Sequence, residues 1–246
     1  MNYIITILAG VAAGFINTMA GGGSLITIPV LIFMGLPPAM ANGTNRVAIM
    51  AQNITAVQTF RKKGYFEWKQ GITYAVPAVV GSLIGANLAI NMDPGVFNKM
   101  LSIIMVVVLG FILFQPHKRL EKLGKTFRSP LFGLVAFFLV GLYGGLVQAG
   151  VGFMIIAALT LLTDFTLVKI NSLKVLIVLI YMSISLAVYV LSANVDWLMG
   201  ITLAIGNATG AWLGSNAQIK GGDKVVRVIL TVAILAMAVK LSGIVG

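Results

Sequence analysis

The stretch Trp68–Asn87, WKQGITYAVPAVVGSLIGAN, recurs 129 positions later as Trp197–Asn216, WLMGITLAIGNATGAWLGSN. The tryptophan, a Gly-Ile-Thr triplet, an alanine, two further glycines and the closing asparagine occupy matching positions in the two copies. A second match lies upstream, where Asn45-Arg46-Val47 corresponds to Leu173-Lys174-Val175 at an offset of 128 residues. We interpret the chain as a duplication, and duplicated apolar chains typically place their functional site between the two halves.

The composition indicates that lipid is the solvent of this chain. Hydrophobic residues make up 59% of the 246 residues and charged residues 9%, with a mean hydropathy of +1.02. Soluble domains are about 45–50% apolar and about 25% charged, so this chain has too few polar side chains to cover a surface in water. The net charge of +11 arises from Lys and Arg in short loops between apolar stretches, which indicates membrane orientation and argues against nucleic-acid binding.

The inventory of reactive side chains disfavours an enzyme. Cysteine is absent and histidine occurs once, at His117, which excludes disulfides, thiolate chemistry and a clustered zinc site. The six acidic residues all lie in or beside loops, at Glu67, Asp93, Glu121, Asp164, Asp196 and Asp223. A membrane-embedded enzyme would need a nucleophile, an acid–base pair or metal ligands. We therefore predict no enzymatic activity, no metal and no other cofactor.

Ten apolar segments are predicted to form α-helices, five in each half. Eight approach or reach the roughly 17–25 residues needed to cross a bilayer: they lie near 3–20, 40–60, 70–90, 96–115, 131–148, 170–192, 197–217 and 225–244. Two shorter segments, 24–34 and 152–163, follow glycine clusters and are predicted to be half-helices or strongly tilted helices. The predicted fold is an all-α polytopic membrane protein, with a first repeat at 1–115, a basic cytoplasmic linker at 116–130 and a second repeat at 131–246.

The charge of the loops predicts their side of the membrane. Basic residues cluster at 61–69, 118–128, 169 and 220–227, whereas the loops at 35–38, 91–94 and 192–196 contain no Lys or Arg. Because basic loops stay cytoplasmic, both termini lie outside if all ten segments cross. Five crossings in each half would invert the second repeat relative to the first, as in many secondary transporters. If the short segments are re-entrant, this parity changes.

Two cations, Arg46 and Lys174, lie inside predicted helices. A cation at the centre of a membrane helix costs about 2.5–3.5 kcal/mol on insertion scales and needs a carboxylate, backbone carbonyls, water or a bound anion as partner. Since no acidic residue lies in the middle of a segment, we expect a substrate anion to be the partner. The alternative is that both side chains reach the membrane surface along their aliphatic stems.

Polar side chains accompany Arg46 along one side of its helix. Asn42, Asn45, Gln52 and Asn53 recur around it at spacings close to three and four residues. Such a stripe is expected to face a water-filled cavity, or alternatively a partner helix. The second half has fewer polar groups, so the predicted site is asymmetric; its members are Asn171, Ser172, Lys174, Tyr181, Ser183 and Ser185.

Glycine clusters interrupt the apolar sequence at equivalent places, Gly21-Gly22-Gly23-Ser24 and Gly150-Val151-Gly152. Glycine permits a tight turn and close approach of a ligand, and the helix that follows presents free N–H groups and the positive end of its dipole. We predict that both turns contact substrate; the alternative is that glycine allows close helix packing. The predicted substrate-binding residues are Asn17, Gly22, Gly23, Ser24, Thr44, Asn45, Arg46, Gln52, Asn53, Gln148, Gly150, Gly152, Asn171, Ser172 and Lys174.

The stretch 14–29, GFINTMAGGGSLITIP, followed by Gly43-Thr44-Asn45-Arg46, resembles the TauE/SafE family of sulfite exporters. The Gly-Tyr-Phe-Glu-Trp loop at 64–68 and the Asn-Val-Asp-Trp loop at 194–197 fit the same pattern, so the resemblance covers essentially the whole chain. It implies a bacterial inner-membrane protein that moves sulfur-containing oxyanions or sulfonates outward, with organic acids in some branches. The second half departs from the pattern, because no proline follows Gly150-Val151-Gly152 and Asn-Arg becomes Leu-Lys.

Together, the residues and the resemblance predict a secondary transporter that exports sulfite or an organosulfonate across the inner membrane. Its partners would be the small anion and the lipid bilayer, with no nucleic acid, and a homo-oligomer is compatible with the sequence. The alternatives are an anion channel, a carrier for thiosulfate or an organic acid, and a structural membrane protein. Without a carboxylate in mid-segment, we expect export to follow the substrate gradient and the membrane potential; proton release from Lys174 is the alternative coupling.

Overall fold

The structure is a computed structural model that describes residues 3–97, 99–100, 103 and 129–241, with side chains described to residue 229. These residues form α-helices joined by short turns and contain no strand, as predicted. Eight helices have described bounds: α1 Tyr3–Met19, α2 Ser24–Phe33, α3 Pro38–Lys62, α4 Trp68–Ile90, α5 Pro130–Leu146, α6 Val151–Leu162, α7 Leu167–Leu191 and α8 Trp197–Leu241. Most of the predicted segment 96–115 and of the predicted linker 116–130, with His117, lies outside the described residues.

The helix ends follow local sequence signals. Pro38 and Pro130 are the first residues of α3 and α5, where the missing N–H costs no hydrogen bond. The Thr166 hydroxyl accepts the Lys169 N–H at the start of α7, and the Asp196 carboxylate caps α8. Helix α8 is interrupted at Gly222, with φ 61° and ψ −164°, between the two segments predicted for this region.

Two of the described helices, α4 and α7, are long and apolar enough to cross a membrane by length and composition. Helices α1, α2, α5 and α6 are apolar but span only 10–17 residues, and α2 and α6 are the short segments predicted after the glycine clusters. Helix α3 has 25 residues but carries the polar stripe. Large apolar side chains such as Ile72, Val76, Ile201 and Ile205 are exposed on α4 and α8, which is the surface that contact with lipid requires.

The glycines of the repeated stretch bring pairs of helices into backbone contact. A Cβ atom at Gly81 or Gly85 of α4 would lie 2.1 and 2.0 Å from the Phe138 and Leu142 carbonyls of α5. Glycine at these positions therefore permits a helix approach that no other residue allows.

The equivalent contact exists in the second half. A Cβ atom at Gly206 or Gly210 of α8 would lie 2.2 and 2.1 Å from the Ile7 and Val11 carbonyls of α1. The fourth helix of each half thus packs on the first helix of the other half, and the two halves interlock. In both pairs, later residues of one helix contact later residues of the other. Helix α1 therefore runs parallel to α8, and α4 runs parallel to α5.

The remaining contacts divide the long helices into two groups of opposite direction, with α1, α3 and α8 in one and α4, α5 and α7 in the other. The contacts that establish this are Thr44–Asp196 and Gln52–Asn207 for α3 with α8, Gly71–Leu173 and Ser82–Tyr181 for α4 with α7, and Asn42–Tyr189 and Arg46–Ser185 for α3 with α7. Antiparallel α3 and α7 meet in the core, where Ile49, Phe60 and Ile177 are buried.

Candidate functional site

Arg46 is fully buried and is bound by the other half of the chain. Its Nη1 donates to the Ser185 hydroxyl at 2.8 Å, and Nη2 donates to the carbonyls of Gly144 and Gly145 at 3.1 and 2.5 Å. The guanidinium carbon also lies 4.4 Å from the centre of the Tyr189 ring. Gly144 and Gly145 belong to the last turn of α5, whose carbonyls lack partners within the helix and form the negative end of its dipole. Arg46 therefore caps the C-terminus of α5.

Lys174, in the second half, makes the corresponding contact with the end of a helix in the first half. Its Nζ donates to the carbonyls of Asn17 and Thr18 at 2.9 Å each and to Asn171 Oδ1 at 2.8 Å. Asn17 and Thr18 lie in the last turn of α1, and the Lys174 side chain is only 2% exposed. Each half thus supplies one buried cation that caps the first helix of the other half.

An asparagine one turn before each cation reinforces the cap. Asn42 Nδ2 donates to the Leu146 carbonyl at the end of α5, at 2.8 Å, and Asn171 Nδ2 donates to the Met19 carbonyl at the end of α1, at 3.0 Å. Asn42 and Asn171 are 129 positions apart, the offset of the repeated stretch. Because they precede Arg46 by four residues and Lys174 by three, each asparagine and its cation share a helix face.

The burial of both cations shows that the alternative in which they reach the membrane surface is wrong. In this conformation backbone carbonyls at helix ends supply the partner that the sequence left open, in place of a carboxylate. An anion that reached Arg46 or Lys174 would join or displace these carbonyls.

Two buried hydrogen-bond donors beside the α5 cap have no partner among the described residues, Arg46 Nε and Asn45 Nδ2. The Thr27 hydroxyl donates to Asn45 Oδ1 at 2.6 Å, which joins this amide to the first turns of α2. A buried donor without a partner costs about 1–3 kcal/mol, so such groups call for a functional explanation. Both donors suit an anionic acceptor.

The two glycine turns contact each other between the halves, and we call this boundary between the two repeats the seam. A Cβ atom at Gly21 would lie 2.3 Å from Gly152 Cα, and one at Gly152 would lie 2.2 Å from Gly21 Cα. Gly21 and Gly150 also have left-handed backbones, with φ of 91° and 76°. Close packing, the alternative interpretation of these glycines, accounts for Gly21 and Gly152.

The expectation of free N–H groups at the start of α2 is wrong for two of them. The Leu25 and Ile26 amides donate to the Gly22 and Gly23 carbonyls at 3.1 and 3.0 Å, because Gly23 already has helical dihedral angles and the turn leads directly into the helix. Ser24, the first residue of α2, is buried. The dipole of α2 remains, but these amides are already bonded.

The other predicted residues bond either within one half or across the two halves. Asn17 donates to Gln52 Oε1 at 3.0 Å within the first half, and Gln148, with φ 65°, accepts from the Tyr181 hydroxyl at 2.9 Å within the second half. The Asn53 and Ser172 side chains donate to carbonyls of their own helices, those of Ile49 and Lys169, whereas the Thr44 hydroxyl accepts from the Asp196 amide of the other half.

Four residues at the site were not among the predicted binding residues: Asn42, Tyr189, Asn207 and Gln218. Asn207 Nδ2 lies 3.4 Å from Gln52 Oε1, and Gln218 Oε1 accepts from Asn171 at 2.8 Å. Their polarity within apolar helices is a signal for Asn207 and Gln218, whereas Tyr189 has no such signal because tyrosine is common in membrane helices.

We expect Asn42→Ala to lower the free energy of unfolding by about 1–3 kcal/mol, because it removes donors from the Leu146 carbonyl and the Tyr189 hydroxyl in a buried site. The matched control is Asn87→Ala, since the Asn87 amide is exposed and bonds only to the Leu83 carbonyl of its own helix. Thermal unfolding of the detergent-solubilised proteins measures the difference. Equal stabilities for the two variants would contradict a capping role for Asn42.

A duplicated, predominantly apolar helical bundle with buried cations between its halves is the architecture of a membrane transport protein. The family model described as Sulfite exporter TauE/SafE matches residues 6–241, and the chain belongs to this family.

Curated relatives match nearly the full length of the chain. It is 29% identical to a "Probable membrane transporter protein" of Haemophilus influenzae, over 96% of this chain and 93% of that protein. It is 30% identical to YfcA of Escherichia coli strain K12, over 93% and 85%, and 23% identical to YunE of Bacillus subtilis, over 98% and 97%; both carry the same description. No solved structure matches the chain. The protein is thus a member of a family of membrane transporters.

Proposed function

We propose that the protein is a secondary transporter that exports a small sulfur-containing anion, sulfite or an organosulfonate, across the bacterial inner membrane. The observation that carries the proposal is the pair of buried cations, Arg46 and Lys174, each held between the halves by helix-end carbonyls. Helices α1, α3, α5 and α7 contain no acidic residue, so no carboxylate on these helices neutralises either cation. Buried positive charge of this kind favours an anionic ligand, and the description of the family model supplies the sulfite candidate.

The helix directions support the inverted relation of the two repeats in the proposed ten-segment layout. The equivalent helices are α1 and α5, α3 and α7, and α4 and α8, and the members of each pair belong to groups of opposite direction. The loops support the proposed sidedness, because Lys169 pairs with Glu67 at 2.6 Å and the Val168 amide donates to Asp223. These contacts join three loops or loop-proximal segments that the basic residues assign to the cytoplasm.

The contacts of Arg46 and Asn45 support a mechanism of competition for the caps. An oxyanion at the seam would accept hydrogen bonds from Arg46 Nε and Asn45 Nδ2 and compete with the Gly144 and Gly145 carbonyls for the remaining guanidinium hydrogens. An anion carries a full negative charge and the carbonyls only partial charges, so Coulomb attraction to the buried guanidinium favours the anion. Release of the α5 end would loosen one side of the seam, and release of the α1 end from Lys174 would loosen the other.

A binding screen on purified protein tests the substrate class. Isothermal titration with sulfite, thiosulfate, sulfate, taurine and sulfoacetate should give saturable binding of sulfite or a sulfonate. Binding of thiosulfate alone would change the assigned substrate to thiosulfate at the same site. Binding of none of these anions would contradict the proposal. Saturable exchange flux in liposomes would separate a carrier from an anion channel.

We expect export to respond to membrane potential. An inside-negative potential favours anion exit by about 2.3 kcal/mol per charge for each 100 mV, and no described helix places a carboxylate beside the cations to couple another ion. In liposomes loaded with sulfite, a potassium diffusion potential set with valinomycin should accelerate efflux. Liposomes carrying Arg46→Gln are the matched control for leak. Efflux with the same rate at every imposed potential would rule out potential-driven export.

A further inference from the structure

The last turn of α1 and the side chain of Asn171 form a site with the ligands of a small monovalent cation. Three oxygens, the Asn17 and Thr18 carbonyls and Asn171 Oδ1, lie 2.8–2.9 Å from Lys174 Nζ. The Thr18 hydroxyl in the same turn is buried and has no partner among the described residues. Carbonyl and amide oxygens are the ligands that hard cations prefer, and helix C-terminal ends coordinate sodium in transporters with broken helices.

We propose that this is a coupling-cation site that the protein fills with its own ammonium group. The inference rests on the proposed transport function and adds that Lys174 acts as a tethered cation, so that transport requires no dissolved sodium. When the ammonium withdraws from the α1 end during the cycle, the three oxygens lose their cation. Their attraction for positive charge then draws the same ammonium back.

The contrast with Arg46 explains why the second half carries lysine. The guanidinium at the α5 end is bound in a plane by two carbonyls and the Ser185 hydroxyl, and it also lies against the Tyr189 ring. An aromatic face and a hydroxyl suit a broad, flat cation. At the α1 end all three ligands are oxygens and all bind one nitrogen, which suits a compact cation.

Other charged groups do not account for the location of Lys174. Helices α1, α3 and α7 contain no acidic residue. Helix α8 contributes Asp223, whose carboxylate accepts the Val168 N–H at the start of α7, and Lys220, Lys224 and Arg227 around it. Asp223 is therefore engaged with a helix start, and the negative end of the α1 dipole holds the ammonium.

The absence of cysteine from the sequence permits a direct test with Lys174→Cys, which introduces a unique thiol. We expect its unfolding temperature to fall and then to rise saturably with NaCl or ethylammonium chloride, because a ligand that binds only the folded state stabilises it. N-methylglucamine chloride at the same ionic strength should have no such effect. The wild-type protein, whose site is full, should not respond to sodium.

Chemical reconstruction of the lysine provides the second readout. The thiolate that Lys174→Cys introduces displaces bromide from 2-bromoethylamine and gains an S–CH2CH2–NH3+ group, a lysine with sulfur in place of one methylene. This product should recover the wild-type unfolding temperature and lose its response to salts, whereas alkylation with iodoacetamide should not restore it. Intact mass measures the extent of each alkylation. Lys62→Cys, at an exposed lysine at the end of α3, is the matched control and should respond to neither treatment.

A sodium-dependent unfolding temperature in the wild-type protein would overturn the inference, and so would a Lys174→Cys protein that responds to no cation. If Lys174→Cys does not fold, Lys174→Ala takes its place in the salt titration, because alanine also leaves the three oxygens without a donor. These measurements contain no substrate anion. A negative result therefore leaves anion export standing, and failure of anion binding leaves the cation result standing.

Discussion

Arg46→Gln is expected to abolish measurable anion binding while the protein remains inserted and monodisperse. Truncating one partner of a buried, hydrogen-bonded charge pair costs about 2–5 kcal/mol, or roughly 30- to 4,000-fold in Kd. The fold should survive because Asn42 continues to cap the Leu146 carbonyl at the same end of α5, although the shorter glutamine does not reach the Gly145 carbonyl. Isothermal titration with the preferred anion, together with size-exclusion chromatography, measures both outcomes.

Two further variants make the result specific to the site. Arg61→Gln applies the same substitution to an exposed arginine at the end of α3 and should leave affinity unchanged. Lys174→Gln should weaken anion binding less than Arg46→Gln, because the Lys174 ammonium already donates to three oxygens, whereas Arg46 Nε has no partner among the described residues. Undiminished affinity in Arg46→Gln would remove Arg46 from the binding site.

Gly152→Ala is expected to produce a large loss of stability, because it disrupts the contact between the two glycine turns. The added methyl group would lie 2.2 Å from Gly21 Cα, so the backbones of both glycine turns must separate. Overpacking of a buried site costs about 1–3 kcal/mol and occasionally more, and the upper end is expected here because backbone atoms cannot rotate away. Thermal unfolding and the yield of monodisperse protein measure the effect.

A glycine elsewhere in the chain separates steric contact from backbone strain. Gly35 has a φ of 96°, close to the 91° of Gly21, but a Cβ atom at Gly35 has no neighbour within 4 Å. Gly35→Ala should therefore show only the cost of a left-handed alanine, about 1–2 kcal/mol. Gly152 lacks a positive φ, so Gly152→Ala reports contact alone and Gly21→Ala combines both effects. A Gly152→Ala protein as stable as wild type would show that the two turns do not touch.

Helix positions were predictable because they depend on local sequence. Continuous apolar stretches, together with glycine and proline at their ends, place the ends of α4 and α7 within a few residues of prediction. The short helices α2 and α6, with 10 and 12 residues, also match the segments predicted after the glycine clusters. Caps, prolines and glycine turns act on their immediate neighbours, so a local pattern is enough to locate them.

The partners of the cations were not predictable from residue types. Arg46 bonds to carbonyls 98 and 99 residues away, and Lys174 bonds to carbonyls 157 and 156 residues away. Every residue has a backbone carbonyl, so nothing in the side chains of Gly144 or Asn17 marks it as an acceptor. The lack of carboxylates led to the expectation of an anion as the partner, but the negative end of a helix dipole can take the same role.

The glycine clusters also combine a feature that the sequence predicted with one that it could not predict. Their recurrence in both halves predicted paired turns, yet an apolar turn that approaches a ligand and one that approaches a second turn have the same composition. Contact between Gly21 and Gly152 depends on how the halves interlock through α4 with α5 and α8 with α1.

The amino-acid sequence by itself determined the duplication, the helical segments, the positions of Arg46 and Lys174 inside those segments and the family, because each is expressed in composition, spacing or motif. Only the tertiary structure decided that each cation is buried and crosses to the first helix of the opposite half, and that the glycine turns meet. Those contacts join backbone atoms of distant segments, and their geometry exists only once the two halves have packed together.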